Sequence, residues 1–411
     1  MNAAQRKQEA EPNPISLRPP TGEGEIALRY NSMRLELTDE QQMIQTMARE
    51  FAREHVAPIA SEIDRDARFP HETVKRMGEL GLLGIMVPER WGGSGADTVS
   101  YVVALEEIAR ACASHAVVMS VNNSLYCDPV WKYGTDEQRT RFLKPVAAGH
   151  ALGCFALTEP EAGSDARNQR TLAVRDGDHY VITGRKMFIS TGREASFVLA
   201  FAQTDVERAH RGISAFVVEK GTPGLSVSKT EDKLGIRASD TAELVFDGCR
   251  VPAANRIGEE GKGFHIALAT LDGGRIGIAA QAVGIAVGAY ERSVAYARER
   301  KAFGVPIGQH QMVQWMLADM ATTIDGARLI TLKAATLKDA GKPYTKEASM
   351  AKLFAAETAM KVATDAVQVH GGYGYIREAE VERYFRDAKI TQIYEGTSQI
   401  QKLVIAREVL K

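Results

Sequence analysis

The sequence predicts an α+β protein: a helical segment, a strand-rich segment and a second helical segment in succession. Three observations predict it. Apolar residues recur at helical spacing from Leu37 to about Gly153. Between about 154 and 256, β-prone runs broken by Gly-containing turns take over. Long Ala-rich stretches return from Gly261 to Lys411. The expected divisions are an N-terminal arm (1–33), an N-terminal all-α domain (34–153), a central antiparallel β-domain (154–258) and a C-terminal helical bundle (259–411).

The arm is set apart by composition. It holds four of the 14 prolines, mixed charge and few large apolar residues, and reads as a mobile segment. Thr38 reads as the N-cap of the first helix, with Met43, Ile44, Met47, Ala48 and Phe51 on its apolar face. Pro58 and Pro70 punctuate, GELGLLGIMVPERWGGSGAD is a loop or short helix, and one long helix runs through YVVALEEIARACASHAVVMSVNNSLY. In TLAVRDGDHYVITGRK, Asp176-Gly177 is a hairpin signal between two strands. ASFVLAFAQ, GISAFVVEK, LSVSK and TAELVFDGCRVP continue the β unit. Helices at 263–299, 311–340 and 346–369 have the length of an up-down bundle.

Composition excludes several function classes. With 411 residues, 45% hydrophobic, 25% charged and a net charge of −1, the chain has a large core and no global attraction to nucleic acid or anionic membrane. No apolar run reaches transmembrane length. Cys112, Cys127, Cys154 and Cys249 form no CxxC, which indicates neither a zinc site nor a disulfide framework and fits a reducing cytoplasm.

Five short segments carry candidate chemistry. IYEGTSQIQ places Glu395 on a turn before a helical tail, where a side chain can enter a cleft and backbone N–H groups stay free. FALTEPEAGSDARN, entered from a helical segment, offers hydroxyls and N–H groups to a ring with a polar edge. KMFISTG sets Phe188 among β-prone residues. ERKAFGVPIGQHQMVQ carries Arg300, Phe303 and Gln311, groups suited to a polyanion or heteroaromatic. In QVHGGYGYIREAEVERYFRD, Gly371, Gly372 and Gly374 break a helix where a backbone can approach a pyrophosphate closely. Taken singly, each has an ordinary reading: a solvated Glu, a Gly/Ser loop, a packed strand, a helix end. His370 has no second ligand at metal spacing, so no metal site is expected.

Together, these segments resemble the acyl-CoA dehydrogenase family over about residues 35–411. ALTEPEAGSD and the stretch Gln368 to Asp387 match its two signatures, although Asn168 stands where a small residue is usual. The resemblance implies an α-helical domain, a central β-domain and a C-terminal four-helix bundle. It implies FAD between β-domain and bundle, completed by a neighbouring subunit of a homotetramer. Phe155, Leu157, Thr158, Gly163 and Ser164 would line the flavin ring and ribityl chain, and Phe188, Ile189 and Ser190 would cover one face, where many relatives have Trp in place of Phe188. Arg300, Phe303, Gln311, Gln368, Gly371 and Gly372 would reach the flavin of the adjacent subunit, with Thr397 and Gln399 at its pyrophosphate or adenosine. Asp272 and Arg275 sit where relatives contact acyl-CoA, joined by Ser164, Tyr394 and Gly396 as substrate neighbours.

By the same resemblance Glu395 is the base that removes the thioester α-proton, while its own N–H and a flavin hydroxyl polarise the carbonyl. The substrate would be a short- to medium-chain acyl-CoA: its β-hydride passes to flavin N5, trans-2-enoyl-CoA leaves, and an electron-transfer flavoprotein takes the electrons. A dry pocket should raise the pKa of Glu395 toward neutrality. Some relatives carry the base where this chain has Gly274, and AVVMSVNNSLY, which has no cation, looks most like short-chain, butyryl-type enzymes. Two other readings stay open. One is a relative acting on a branched, cyclic or aromatic acyl-CoA, or using oxygen. The other is a flavin-containing scaffold or nucleic-acid-associated member of the fold, against which the retained Glu395 and the absence of a basic tail both speak.

Overall fold

Thr38 caps the first helix as its position suggests: its hydroxyl accepts from Gln41 N–H and the Gln41 side chain accepts in return, a closed capping box. The computed structural model describes residues 36–411, so the arm predicted over 1–33 lies outside the described residues. The N-terminal helices are α1 (Asp39–Phe51), α2 (Ala60–Arg65), α3 (His71–Glu79), α4 (Thr98–Ala111), α5 (Ala113–Ser120), α6 (Asp128–Tyr133), α7 (Asp136–Gln138) and α8 (Lys144–Ala147).

The long helix expected through 101–126 is not continuous. Cys112 is extended (φ −156°, ψ 112°), and a π-helical turn occupies Val121–Cys127. Partners from the distant bundle decide the break. Tyr384 donates to Arg110 O at 2.8 Å, Arg383 to Ala111 O at 3.3 Å and Gln281 to Ala113 O at 3.1 Å. Carbonyls satisfied from outside need no helical donor, and nearly every residue here is buried, so no polar face marked the interruption.

An eight-stranded sheet follows, with β1 (Gly153–Ala156), β2 (Leu172–Asp176), β3 (His179–Ser190), β4 (Phe197–Gln203), β5 (Ile213–Glu219), β6 (Leu225–Thr230), β7 (Thr241–Pro252) and β8 (Arg256–Ile257). The order is β6-β7-β3-β2-β4-β5-β8, with β1 beside β4. The Asp176-Gly177 hairpin joins β2 to β3, Asp176 facing His179. Most pairs are antiparallel, while β1 and β2 both run parallel to β4. This corrects one expectation: Ala156 ends a strand, and the chain does not enter the 155–168 loop from a helix. A four-residue buried apolar run carries no period that separates strand from helix.

The C-terminal part holds α9 (Gly263–Glu299), the small hairpin β9 (Lys301–Ala302) and β10 (Val305–Pro306), α10 (Gln311–Asp339), α11 (Thr345–His370), α12 (Val381–Thr391) and α13 (Ser398–Val409). The bundle packs on the N-terminal helices through a continuous core that includes Tyr101, Leu105, Ile276, Val283, Ala355 and Tyr384.

Candidate active site around Glu395

The turn between α12 and α13 is built by its neighbours. Thr397 caps α13, its hydroxyl accepting from Ile400 N–H at 3.3 Å. Glu395 and Gly396 both take positive φ, +50° and +91°. A non-glycine residue holds that region only where its surroundings fix it. Gln401 Nε2 donates to both turn carbonyls, Glu395 O at 3.2 Å and Gly396 O at 2.9 Å. Lys352 Nζ, from α11, donates to Gly396 O at 2.7 Å. Among the described residues neither Glu395 N–H nor Gly396 N–H has an acceptor.

Glu395 is half-buried, and its Oε2 is buried with no partner. It fills the space that glycine leaves on α9: a Cβ added to Gly274 would lie 2.1 Å from that oxygen and 2.9 Å from Leu125 Cδ2. Burial pushes the Glu395 pKa up to about 7, against the opposing pull of Lys352 and Arg275. A carboxylate poised there, next to free backbone N–H donors, is equipped to take a proton from a carbon acid while its carbonyl is polarised. Arg275 is buried, bonded to Asp272 at 2.5 Å and to Ser349 at 3.4 Å. It thus faces the interior beside Glu395 and does not line an open surface. Tyr394 points its hydroxyl at Gln281 inside the bundle.

The 155–168 loop hangs from a buried ion pair. Lys186 Nζ meets Glu159 Oε1 at 2.7 Å and also donates to Leu157 O and Gln169 Oε1, both at 3.2 Å. Glu159 accepts in turn from Arg170 N–H at 2.6 Å. Met187 N–H donates to Thr158 O at 2.8 Å, which ties the loop's start to β3. One step on, β3 bulges against β7. Phe188 stands there at φ +57° and 61% exposed, so it is not the packed strand residue its motif alone suggested. The Phe155 ring lies tilted against that of Phe201, centroids 4.9 Å apart, Leu157 and Ile189 are buried, Ser190 is half-buried, and Gly163 and Ser164 are exposed.

A separate cavity of about 520 Å³ opens at the far end of the bundle, lined by Arg300, His370, Gly371, Gly372 and Tyr373 among others. Arg300 lies over the Tyr373 ring at 5.5 Å. Gly371 and Gly372 have open space where a Cβ would stand. Phe303 is 97% exposed, and Gln311, Gln368 and Gln399 are exposed. None of the cavity's lining residues comes from the 155–164 loop, the 188–190 bulge or the 394–397 turn. One chain therefore does not bring the two halves of the expected flavin site together.

Glu159, Lys186, Leu125, Lys352 and Gln401 are the residues sequence reasoning missed. A signal existed for the lysines. Lys186 falls on the inward alternation of β3 with Tyr180 and Ile182, and Lys352 on the buried stripe of α11 with Ala348, Ala351, Ala355 and Ala359. A cation on an apolar stripe requires a specific acceptor.

Family profiles described as the acyl-CoA dehydrogenase N-terminal, middle and C-terminal domains match residues 38–150, 154–249 and 261–410. The short-chain specific acyl-CoA dehydrogenase of Clostridium acetobutylicum is 52% identical over 379 residues, covering 92% of this chain and 100% of the relative. Butyryl-CoA dehydrogenase from Megasphaera elsdenii superposes with a TM-score of 0.91 at 45% identity, covering 92% of this chain and 100% of that one. A chain from structural work on the electron transferring flavoprotein of Acidaminococcus fermentans, toward a mechanism of flavin-based electron bifurcation, superposes with a TM-score of 0.92 at 49% identity and the same coverage. Three domain matches in order and full-length relatives at this identity place the chain: it belongs to the acyl-CoA dehydrogenase family of FAD flavoproteins and is an acyl-CoA dehydrogenase.

Proposed function

We propose that the chain converts a short acyl-CoA, of about C4 to C6, to its trans-2-enoyl-CoA, with Glu395 removing the α-proton. The observation that carries this is the Glu395 carboxyl, its Oε2 buried, unpartnered and seated beside Gly274, its pKa raised to about 7. The free N–H of Glu395 is suited to polarise the thioester carbonyl, which acidifies the α-carbon. Leu125 Cδ2 borders the same space over Gly274 that Oε2 enters. The short-chain preference is supported by the likeness of the VNNSLYC stretch to butyryl-type enzymes and by the short-chain relative.

The residues present fit FAD. Thr158, Ser164 and Ser190 offer hydroxyls and Phe188 an open aromatic face for the ring. Arg300, Gly371 and Gly372 of a second copy offer a cation and bare backbone for the pyrophosphate and adenosine. FAD, when bound, supplies the acceptor for the β-hydride. Electrons then pass to an electron-transfer flavoprotein, in a cytoplasmic homotetramer. Among the described residues no helix is long and apolar enough to cross a membrane.

Anaerobic mixing of the yellow enzyme with a panel of acyl-CoAs tests the reading. Butyryl- and hexanoyl-CoA should bleach the flavin fastest. Glu395→Gln should stay yellow and lose roughly 100- to 10,000-fold or more in turnover. An optimum at C12 or beyond, or on an aromatic acyl-CoA, would overturn the chain-length assignment. Fast peroxide release with no response to the flavoprotein carrier would move the chain to the oxidase class.

A further inference from the structure

We propose that Lys352 is a positioning residue of this reaction: its buried ammonium holds the Gly396 carbonyl, and so the turn that presents Glu395, while leaving the carboxylate itself free to take a proton. The inference rests on Glu395 being the base.

Two lysines among the described residues are fully buried, Lys186 and Lys352. Lys186 is accounted for by Glu159 at 2.7 Å. Lys352 differs. Among the described residues it forms no salt bridge, and its hydrogen-bond partner is the Gly396 carbonyl at 2.7 Å. A buried cation without a carboxylate partner is costly to keep, and nothing in the packing of the Ala-rich α11 requires one. Glu395 is nonetheless the charged group that acts on Lys352 most strongly.

The arrangement solves a chemical conflict. A general base needs an ionised form at working pH, which burial alone opposes. A direct ion pair would restore ionisation but would occupy Oε2 and drop the pKa too far for proton abstraction. Here the ammonium bonds the adjacent carbonyl instead, so it supplies its field at one remove and Oε2 stays unpartnered. The same bond fixes backbone strain. With Gln401, itself fully buried, Lys352 supplies the donors that hold the carbonyls of two consecutive positive-φ residues.

The charged and titratable groups around the Glu395 carboxyl are Lys352, with Glu357 behind it, on α11; Arg275, with Asp272, on α9; Tyr101 on α4; and the neighbouring Tyr394. Arg407 of α13 acts on Arg275. Lys352 is the largest charge opposing the effect of burial. Its loss disfavours the carboxylate, so the ascending limb of kcat/KM against pH must move up.

The test uses FAD-loaded enzyme with butyryl-CoA. Wild-type turnover and its loss in Glu395→Gln establish the base first, which separates failure of that assignment from failure of this one. Lys352→Gln keeps a donor for Gly396 O without the charge, and Lys352→Met removes both. The ascending limb should rise by about one pH unit or more in each, with turnover at pH 7 down roughly tenfold for Gln and further for Met, and KM changed far less than kcat. Lys352→Arg should keep the limb near its wild-type position. If Lys352→Met does not fold, Lys352→Gln decides by the same limb. Neutral variants that superimpose on the wild-type profile overturn the proposal. So does failure of both to fold while Lys352→Arg folds, which would make Lys352 a purely structural residue.

Discussion

Opposed forces meet at Glu395: burial raises its pKa, and Lys352 and Arg275 lower it, leaving it at about 7. The sign for activity follows. The base works as the carboxylate, so kcat/KM should climb as pH rises through about 7 and fall about tenfold per unit below it. A profile flat down to pH 5 would contradict this. Gly274 offers a second probe at the same atom. A methyl group there would stand 2.1 Å from Oε2, so the carboxyl must shift. Displacement of a reacting group by about 1 Å can cost roughly 100-fold. Gly274→Ala should therefore lose about that much in kcat while keeping its flavin spectrum. Near wild-type turnover would show that Glu395 does not use that space.

At the scale of the element, strand β3 and the π-helical turn do the positioning. Lys186 stands on the inner face of β3 at zero exposure, paired with a Glu159 that is 5% exposed. Removing one partner of such a pair leaves a buried charge, at about 3–5 kcal/mol. Lys186→Met should lower the melting temperature accordingly and free the 155–168 loop, and faster proteolysis within that loop would report it. A melting curve matching wild type would contradict the prediction. The π-helical turn is pinned by Asn123, whose side chain accepts from Ile85 N–H at 2.9 Å and donates to Leu82 O at 2.8 Å and Met119 O at 2.9 Å. Asn122 ties the same turn to Leu83 O at 2.8 Å and to Gly153 N–H of β1 at 3.0 Å. These bonds fix the turn that carries Leu125, whose Cδ2 borders the space over Gly274 that Glu395 Oε2 enters, so an irregular element helps to shape that space.

On the scale of the molecule, one polar junction joins three segments. Arg386 of α12 binds Asp64 of α2 at 2.7 Å and Leu234 O of the sheet region at 3.1 Å, and the neighbouring Asp387 accepts from Ile236 N–H at 2.5 Å. Helices, sheet and bundle are thus held in one register around the site. The cavity at Arg300 and Gly372 stands apart from Phe188 and Glu395 within one chain. Exposed Phe303, Met312 and Trp315 lie nearby in sequence, the apolar surface a partner copy would cover. Light scattering should give four chains per particle, and Arg300→Ala should weaken both flavin retention and assembly. A stable, fully flavinylated monomer would sink this.

The sequence by itself determined what local chemistry determines. The Thr38 cap, the Asp176-Gly177 hairpin, the three long bundle helices and the helix stop at Gly371 follow from propensity, period and turn residues. The motifs also named the family, because their residue types stand at matching spacings in one order. Only the tertiary structure decided the rest. The helix break at Cys112 depends on donors about 170 to 270 residues away. Strand β1 is a strand because β4 lies beside it. The exposure of Phe188 follows from a bulge against β7. The pKa of Glu395, and the nearness of Gly274, Leu125, Lys352 and Arg275 that sets it, exist only once α9, α11 and the turn before α13 pack together. Each is a non-local contact, and one-dimensional periodicity has no term for which distant donor or charge will arrive.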